Sequence, residues 1–141
     1  MIRQYGRFDE YAYRTATRDL DPGVSALEEG QWVTINAAGN VIVSVGAVGT
    51  KGFLCVGSKR SGRDQVTGKP VQKVSYLNGP FELQVSNYDG GGTYTAPMTP
   101  LKVMAGGVLT NWVTGTDKVE MLVAWAIGAP STDGYLTIVA V

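Results

Sequence analysis

The chain has 141 residues, 44% of them apolar, and zero net charge from 12 basic and 12 acidic side chains. That is one domain's length with enough apolar material for a core, and the balanced charge provides no global field to draw nucleic acid or an anionic membrane. The charged fraction of 17% lies well under the roughly 25% of an average soluble domain, as in a protein that covers part of its surface with partners.

Residues 1–23 stand apart. Arg3, Arg7, Arg14 and Arg18 alternate with Tyr5, Phe8, Tyr11 and Tyr13, with no lysine and no apolar face at helical spacing. Asp21-Pro22-Gly23 closes the segment with a turn signal. Arg and Tyr are the side chains enriched at interface hot spots, so this segment is expected to be an extended docking arm. Arg3, Tyr5, Arg7, Phe8, Tyr11, Tyr13, Arg14 and Arg18 are its candidate contacts, and residues 24–141 form a single domain.

From Gly30 onward the pattern is strands and turns. Residues 31–36 and 41–45 read as a hairpin around Ala37-Ala38-Gly39-Asn40. Phe53-Leu54-Cys55-Val56 is a continuous apolar run, the mark of a strand buried on both faces. Residues 58–69 read as a polar loop, and the stretch from Lys59 to Lys73 carries Lys59, Arg60, Arg63, Lys69 and Lys73 against Asp64. A solvated loop is its default reading, and salt bridges to an acidic partner the next. Only Tyr76 lies near enough to stack a base, so nucleic acid is not expected.

Residues 71–77 form a further strand, and 81–86 alternate strictly, placing Phe81, Leu83 and Val85 on one face. Residues 101–104, 108–113, 119–127 and 135–141 supply the last strands, separated by Gly-rich turns. In 119–127 the apolar alternate face is Val119, Met121, Val123, Trp125 and Ile127. The expected fold is all-β, a small antiparallel β-barrel or β-sandwich with an extended N-terminal arm. Trp32, Trp112 and Trp125 lie within apolar strands and are expected to fill the core.

Catalytic chemistry has little to work with. The chain holds no histidine, and Cys55 sits in an apolar run without a basic neighbour. No zinc-ligand spacing and no phosphate-binding glycine loop occurs. Glu82, Glu120, Asp64 and Asp117 qualify by type for carboxylate chemistry, but nothing pairs them in sequence. No enzyme activity, cofactor, metal or small-molecule substrate is expected. No run of 18 apolar residues is present for a membrane helix, and the first residues lack a signal peptide's apolar stretch. Synthesis in a cytoplasm without export by the usual route follows as an expectation, and a lone cysteine agrees with it.

Several strings in order resemble the decoration (cement) proteins of tailed-bacteriophage heads. They are Leu27-Glu28-Glu29-Gly30-Gln31-Trp32-Val33 followed by Ala38-Gly39-Asn40, then Asp64 with Thr67-Gly68-Lys69. Leu77-Asn78-Gly79-Pro80-Phe81-Glu82 comes next, then Leu101-Lys102-Val103 with Gly107-Val108-Leu109-Thr110, and Asp133-Gly134-Tyr135-Leu136-Thr137-Ile138. The resemblance covers residues 27–141 and leaves out the Arg- and Tyr-rich arm. It implies a structural protein of the virion, made in the bacterial host's cytoplasm and added to the capsid exterior, where it clamps neighbouring major capsid protein subunits. It also implies a homo-oligomer, a trimer or else a dimer, without catalytic residues. The competing readings are another virion β-module from a tail or head fibre, and a carbohydrate-binding β-domain, for which an exposed tryptophan is the sign.

Overall fold

The computed structural model describes residues 2–4, 14–25, 27–63, 70–95 and 97–140. Among them run eleven strands: β1 (Ile2–Gln4), β2 (Thr15–Asp19), β3 (Trp32–Ile35), β4 (Val41–Val43), β5 (Phe53–Arg63), β6 (Pro70–Leu77), β7 (Phe81–Val85), β8 (Met98–Met104), β9 (Val108–Asn111), β10 (Leu122–Ile127) and β11 (Leu136–Ala140). A 3-10 turn at Val119–Met121 precedes β10. The protein is all-β, with two sheets of antiparallel strands. One has six strands in the order β1-β7-β11-β10-β8-β9, the other five in the order β2-β6-β5-β3-β4.

Neither sheet closes into a barrel. The five-stranded sheet curls until Leu20, just past β2, meets Val41 of β4 in an isolated parallel bridge, with the Asp21 N–H donating to the Val41 carbonyl at 2.9 Å. The arrangement is sandwich-like in that one apolar cluster draws on both sheets. Trp32, Leu54 and Leu77 come from the five-stranded sheet, and Phe81, Leu83, Val85, Leu101, Leu109, Leu136 and Ile138 from the six-stranded one. A second cluster, Leu20, Leu27, Val33, Val41, Cys55, Val74 and Tyr76, fills the curl. Successive strand residues point to opposite faces, so Trp32 and Val33, or Leu54 and Cys55, enter different clusters. The run Phe53–Val56 is thus flanked by apolar surroundings on both sides, as its composition predicts. Each fully buried large aliphatic contributes roughly 1.5–3 kcal/mol.

Two glycines let the sheets approach. Gly46 has φ +72°, and a Cβ there would stand 1.9 Å from the Val103 carbonyl oxygen. Gly107 has φ +71°, and a Cβ there would stand 2.6 Å from the Trp32 carbonyl oxygen, where the Trp32 N–H donates to the Gly107 carbonyl at 2.9 Å.

The structure corrects two expectations outside the core. The stretch 58–69 is not simply a loop: β5 continues to Arg63 and β6 begins at Pro70, paired as a hairpin. Backbone pairing needs no apolar side chain, so polarity alone misplaces such a segment. Residues 119–127 are also not one strand with one bulky inner face. The register shifts between Leu122, opposite Lys102, and Ala124, opposite Leu101. This bulge turns Val123 inward against the core and leaves small residues, Ala124 and Ala126, as the buried positions of β10.

Candidate interaction surface

Across the six-stranded sheet, residues directly opposite one another share a face. On the side turned away from the core, one row runs Glu82, Val139, Trp125, Pro100. Trp112 continues it, its backbone N–H donating to the Pro100 carbonyl at 2.8 Å. The neighbouring row holds Gln84 opposite Thr137 on β11 and Ile127 opposite Met98 on β8. Neither Trp112 nor Trp125 belongs to either core cluster. Trp125, Pro100 and Trp112 are half-buried, while Met98 is 45% and Ile127 40% exposed. The result is an apolar sheet face with two indoles flanking a proline.

The expectation that all three tryptophans fill the core therefore holds for Trp32 alone, at 1% exposure. Composition could not separate them. Ala124 and Ala126 were the available signal, because small residues on one side of β10 mark the side pressed against a crowded core.

The rim of this face is held by polar contacts. The Trp112 indole N–H donates to the Lys118 carbonyl at 2.9 Å. Lys102 Nζ donates to Asp117 Oδ1 at 2.6 Å, and Asp117 Oδ2 accepts the Val113 N–H at 2.7 Å. These two bonds, the lysine's first, hold the Asp117 carboxyl below the usual carboxylate range. In the connection from β7 to β8, Tyr94 is buried and donates its hydroxyl to the Asp89 carbonyl at 2.6 Å. Burial pushes its pKa up to about 12.

The N-terminal segment is tied to the domain at both ends. β1 lies along β7 with Arg3 opposite Gln84, at the end of the row that holds Thr137. β2 lies along β6 from Thr15↔Leu77 to Asp19↔Lys73. Arg18 braces the five-stranded sheet, its Nε donating to the Tyr76 hydroxyl at 3.1 Å and its Nη1 to the Gly39 carbonyl at 3.4 Å. Arg14 is exposed, and its carbonyl accepts the Asn78 N–H at 2.8 Å. Tyr5, Arg7, Phe8, Tyr11 and Tyr13 lie outside the described residues, as does Asp64 among the candidate carboxylates.

Of the remaining carboxylates, Glu82 is exposed on the outer row and Glu120 is exposed on the 3-10 turn. Glu120 lines an open groove of about 330 Å³ with Gly49–Gly52, Leu122 and Val123. Among the described residues no group of three or more Cys, Asp or Glu side chains is placed to hold a metal ion. Cys55 is fully buried, and burial, opposed by a hydrogen bond from the Gly57 backbone, raises its thiol pKa. Comparison with known proteins finds no family model, no curated protein and no solved structure that matches the chain.

Proposed function

We propose that the chain is a structural virion protein that binds the outside of a tailed-phage capsid and clamps neighbouring major capsid subunits. The observation that carries this reading is the outer face of the six-stranded sheet. Its bulky side chains, Trp125, Pro100, Trp112, Met98 and Ile127, are turned away from the core on a sheet of paired strands. Half-buried indoles offer large contact area at low entropic cost. Carboxylates and lysines stand at its rim, as in a protein-binding patch. The order of strings that resembles phage decoration proteins supplies the identity of the partner.

In this proposal the arm is a second contact. Arg3 stands at the edge of the same face by register, and Tyr5, Arg7, Phe8, Tyr11 and Tyr13 follow it in sequence. Several modest contacts presented together by an oligomer add through effective concentration.

Co-sedimentation with undecorated phage heads is the test. The proposal expects saturable binding in regular stoichiometry, weakened about 30-fold or more by Trp125→Ala, the usual effect of removing a central aromatic anchor. A folded protein that ignores the heads ends it. Two indoles flanking a proline also fit a sugar-stacking platform, so a carbohydrate-binding domain is the second reading. Quenching of tryptophan fluorescence by oligosaccharides, lost in Trp125→Ala and Trp112→Ala, would transfer the assignment to it.

A further inference from the structure

Two of the indoles treat their N–H groups differently. That of Trp112 donates to the Lys118 carbonyl. That of Trp32, which is 1% exposed, has no acceptor among the described residues. Buried donors are nearly always paired, because an unpaired one gives up its hydrogen bonds to water without replacement.

Trp32 also forms part of the wall of a cavity of about 250 Å³ at the seam between the two sheets. Leu77 ends β6 in one sheet and Phe81 begins β7 in the other. Both line the cavity, together with Val123 at the bulge of β10 and Ala140, which stands opposite Phe81 on β11. The Trp32 and Phe81 ring centroids are 6.3 Å apart. None of the lining residues lies on the outer face of the six-stranded sheet.

Position 52 keeps this space open. Gly52 lines the cavity and does not occupy the left-handed backbone region, so its value there is the missing side chain. A Cβ would stand 3.3 Å from both Trp32 Cε3 and Val123 Cγ1, wedged between two walls. Beside it, Lys51 lies with its Nζ 5.2 Å from the centroid of the Phe53 ring, and both residues line the same cavity. Glu120 shares the adjoining groove with Lys51 but is not among the cavity's lining residues, which include no carboxylate.

We propose that this cavity binds a small apolar molecule ending in a carboxylate, with one oxygen accepting the Trp32 indole N–H and the charge met by Lys51. Each part of that ligand answers a feature of the wall: an acceptor for the unpaired donor, an apolar body for Leu77, Phe81, Val123 and Ala140, and an anion for the ammonium. The volume lies just below the roughly 300–1,000 Å³ of pockets for drug-sized ligands, so the molecule is short. A lone water fits less well, since it needs two to four polar partners and those four side chains offer none. Composition led to no expectation of a small-molecule substrate, and the proposed ligand is bound, not transformed.

The test is a titration of ¹⁵N-labelled protein with hexanoate, following the three indole N–H resonances. Trp112→Phe and Trp125→Phe assign the Trp32 signal by elimination. That signal should move downfield and saturate while the other two stay in place. Hexanamide, of the same shape without the charge, should bind roughly tenfold more weakly, because a charge-assisted bond is lost. Hexylammonium should leave the signal unmoved. Gly52→Ala should weaken hexanoate roughly tenfold or more by narrowing the cavity, and Lys51→Gln, an exposed change that spares the fold, should reduce hexanoate to the level of hexanamide. A Trp32 signal indifferent to hexanoate overturns the proposal, as does equal movement with hexylammonium. Hexanoate binding unaffected by both Gly52→Ala and Lys51→Gln overturns it too. All of these outcomes are read on the protein alone, so this proposal and the capsid reading fail separately.

Discussion

Along β3 and β5 of the five-stranded sheet, neighbouring residues serve different cores, with Trp32 and Leu54 facing the other sheet and Val33 and Cys55 lining the curl. Along β8 and β10 of the six-stranded sheet, one side faces the core through Leu101, Val103, Ala124 and Ala126, and the other side looks outward through Pro100, Trp125 and Ile127. The first sheet has spent both faces on stability. The second has one to spare, and the bulky residues were placed there. A surface that displays two indoles while alanines fill the inner positions is the feature on which the proposed contact with a partner rests.

Substituting the tryptophans breaks this contrast most directly. Trp32→Ala should cost about 3–5 kcal/mol in urea unfolding, since it empties a site shared by both sheets. Trp125→Ala should cost about 1 kcal/mol or less, with its effect falling on binding. Equal losses from the two would abolish the distinction between the faces. Next in size is Gly46→Ala, where a Cβ would meet the Val103 carbonyl at 1.9 Å in a left-handed backbone conformation. Strain and displacement together should cost about 3 kcal/mol by the same measurement, and an unchanged midpoint would mean that this strap does not fix the spacing of the sheets.

Asp117→Asn should cost about 1–2 kcal/mol at neutral pH, by weakening a charge-assisted bond to Lys102 at the rim. The folded carboxyl titrates below the unfolded one, so its contribution is present above the ordinary value of about 3.9 and is lost as pH falls through the lower folded value. Wild type and variant should therefore converge in acid, and a constant gap would contradict the assignment. The smallest effect concerns Cys55. Its buried thiol with raised pKa should ignore a thiol reagent in the native state and react on unfolding, and fast native labelling would show that the curl of the five-stranded sheet opens.

What could be read in the sequence followed the burial of each strand. β7 was legible because Phe81, Leu83 and Val85 are buried between exposed or half-buried neighbours, and β5 because Leu54 and Cys55 are both fully buried. β10 was misread because one bulge residue at Val123 reverses the parity on which alternation depends. β1 and β2 left no trace, since edge strands held mainly by backbone pairing impose no apolar period. The candidate site was half visible for the same reason. Arg3 and Arg18 were singled out for their type, yet Arg18 is occupied within the chain. The row of Trp125, Pro100 and Trp112 becomes a surface only when the strand order is known.

That strand order also sets a timetable. In the six-stranded sheet β11 lies between β7 and β10, so residues 136–140 join two halves whose other link among the described residues is the isolated bridge between Tyr88 and Leu109. The five-stranded sheet is complete once residue 77 has emerged from the ribosome, and synthesis must run some sixty residues further, on the order of several seconds at typical elongation rates, before the second sheet can knit. Through that interval Trp32, Leu54 and Leu77 lack the complete opposite layer that covers them in the folded chain. The nascent chain therefore carries exposed apolar surface until its last strand is made, and it should be most vulnerable to proteases and to holdase chaperones when stalled just short of residue 136.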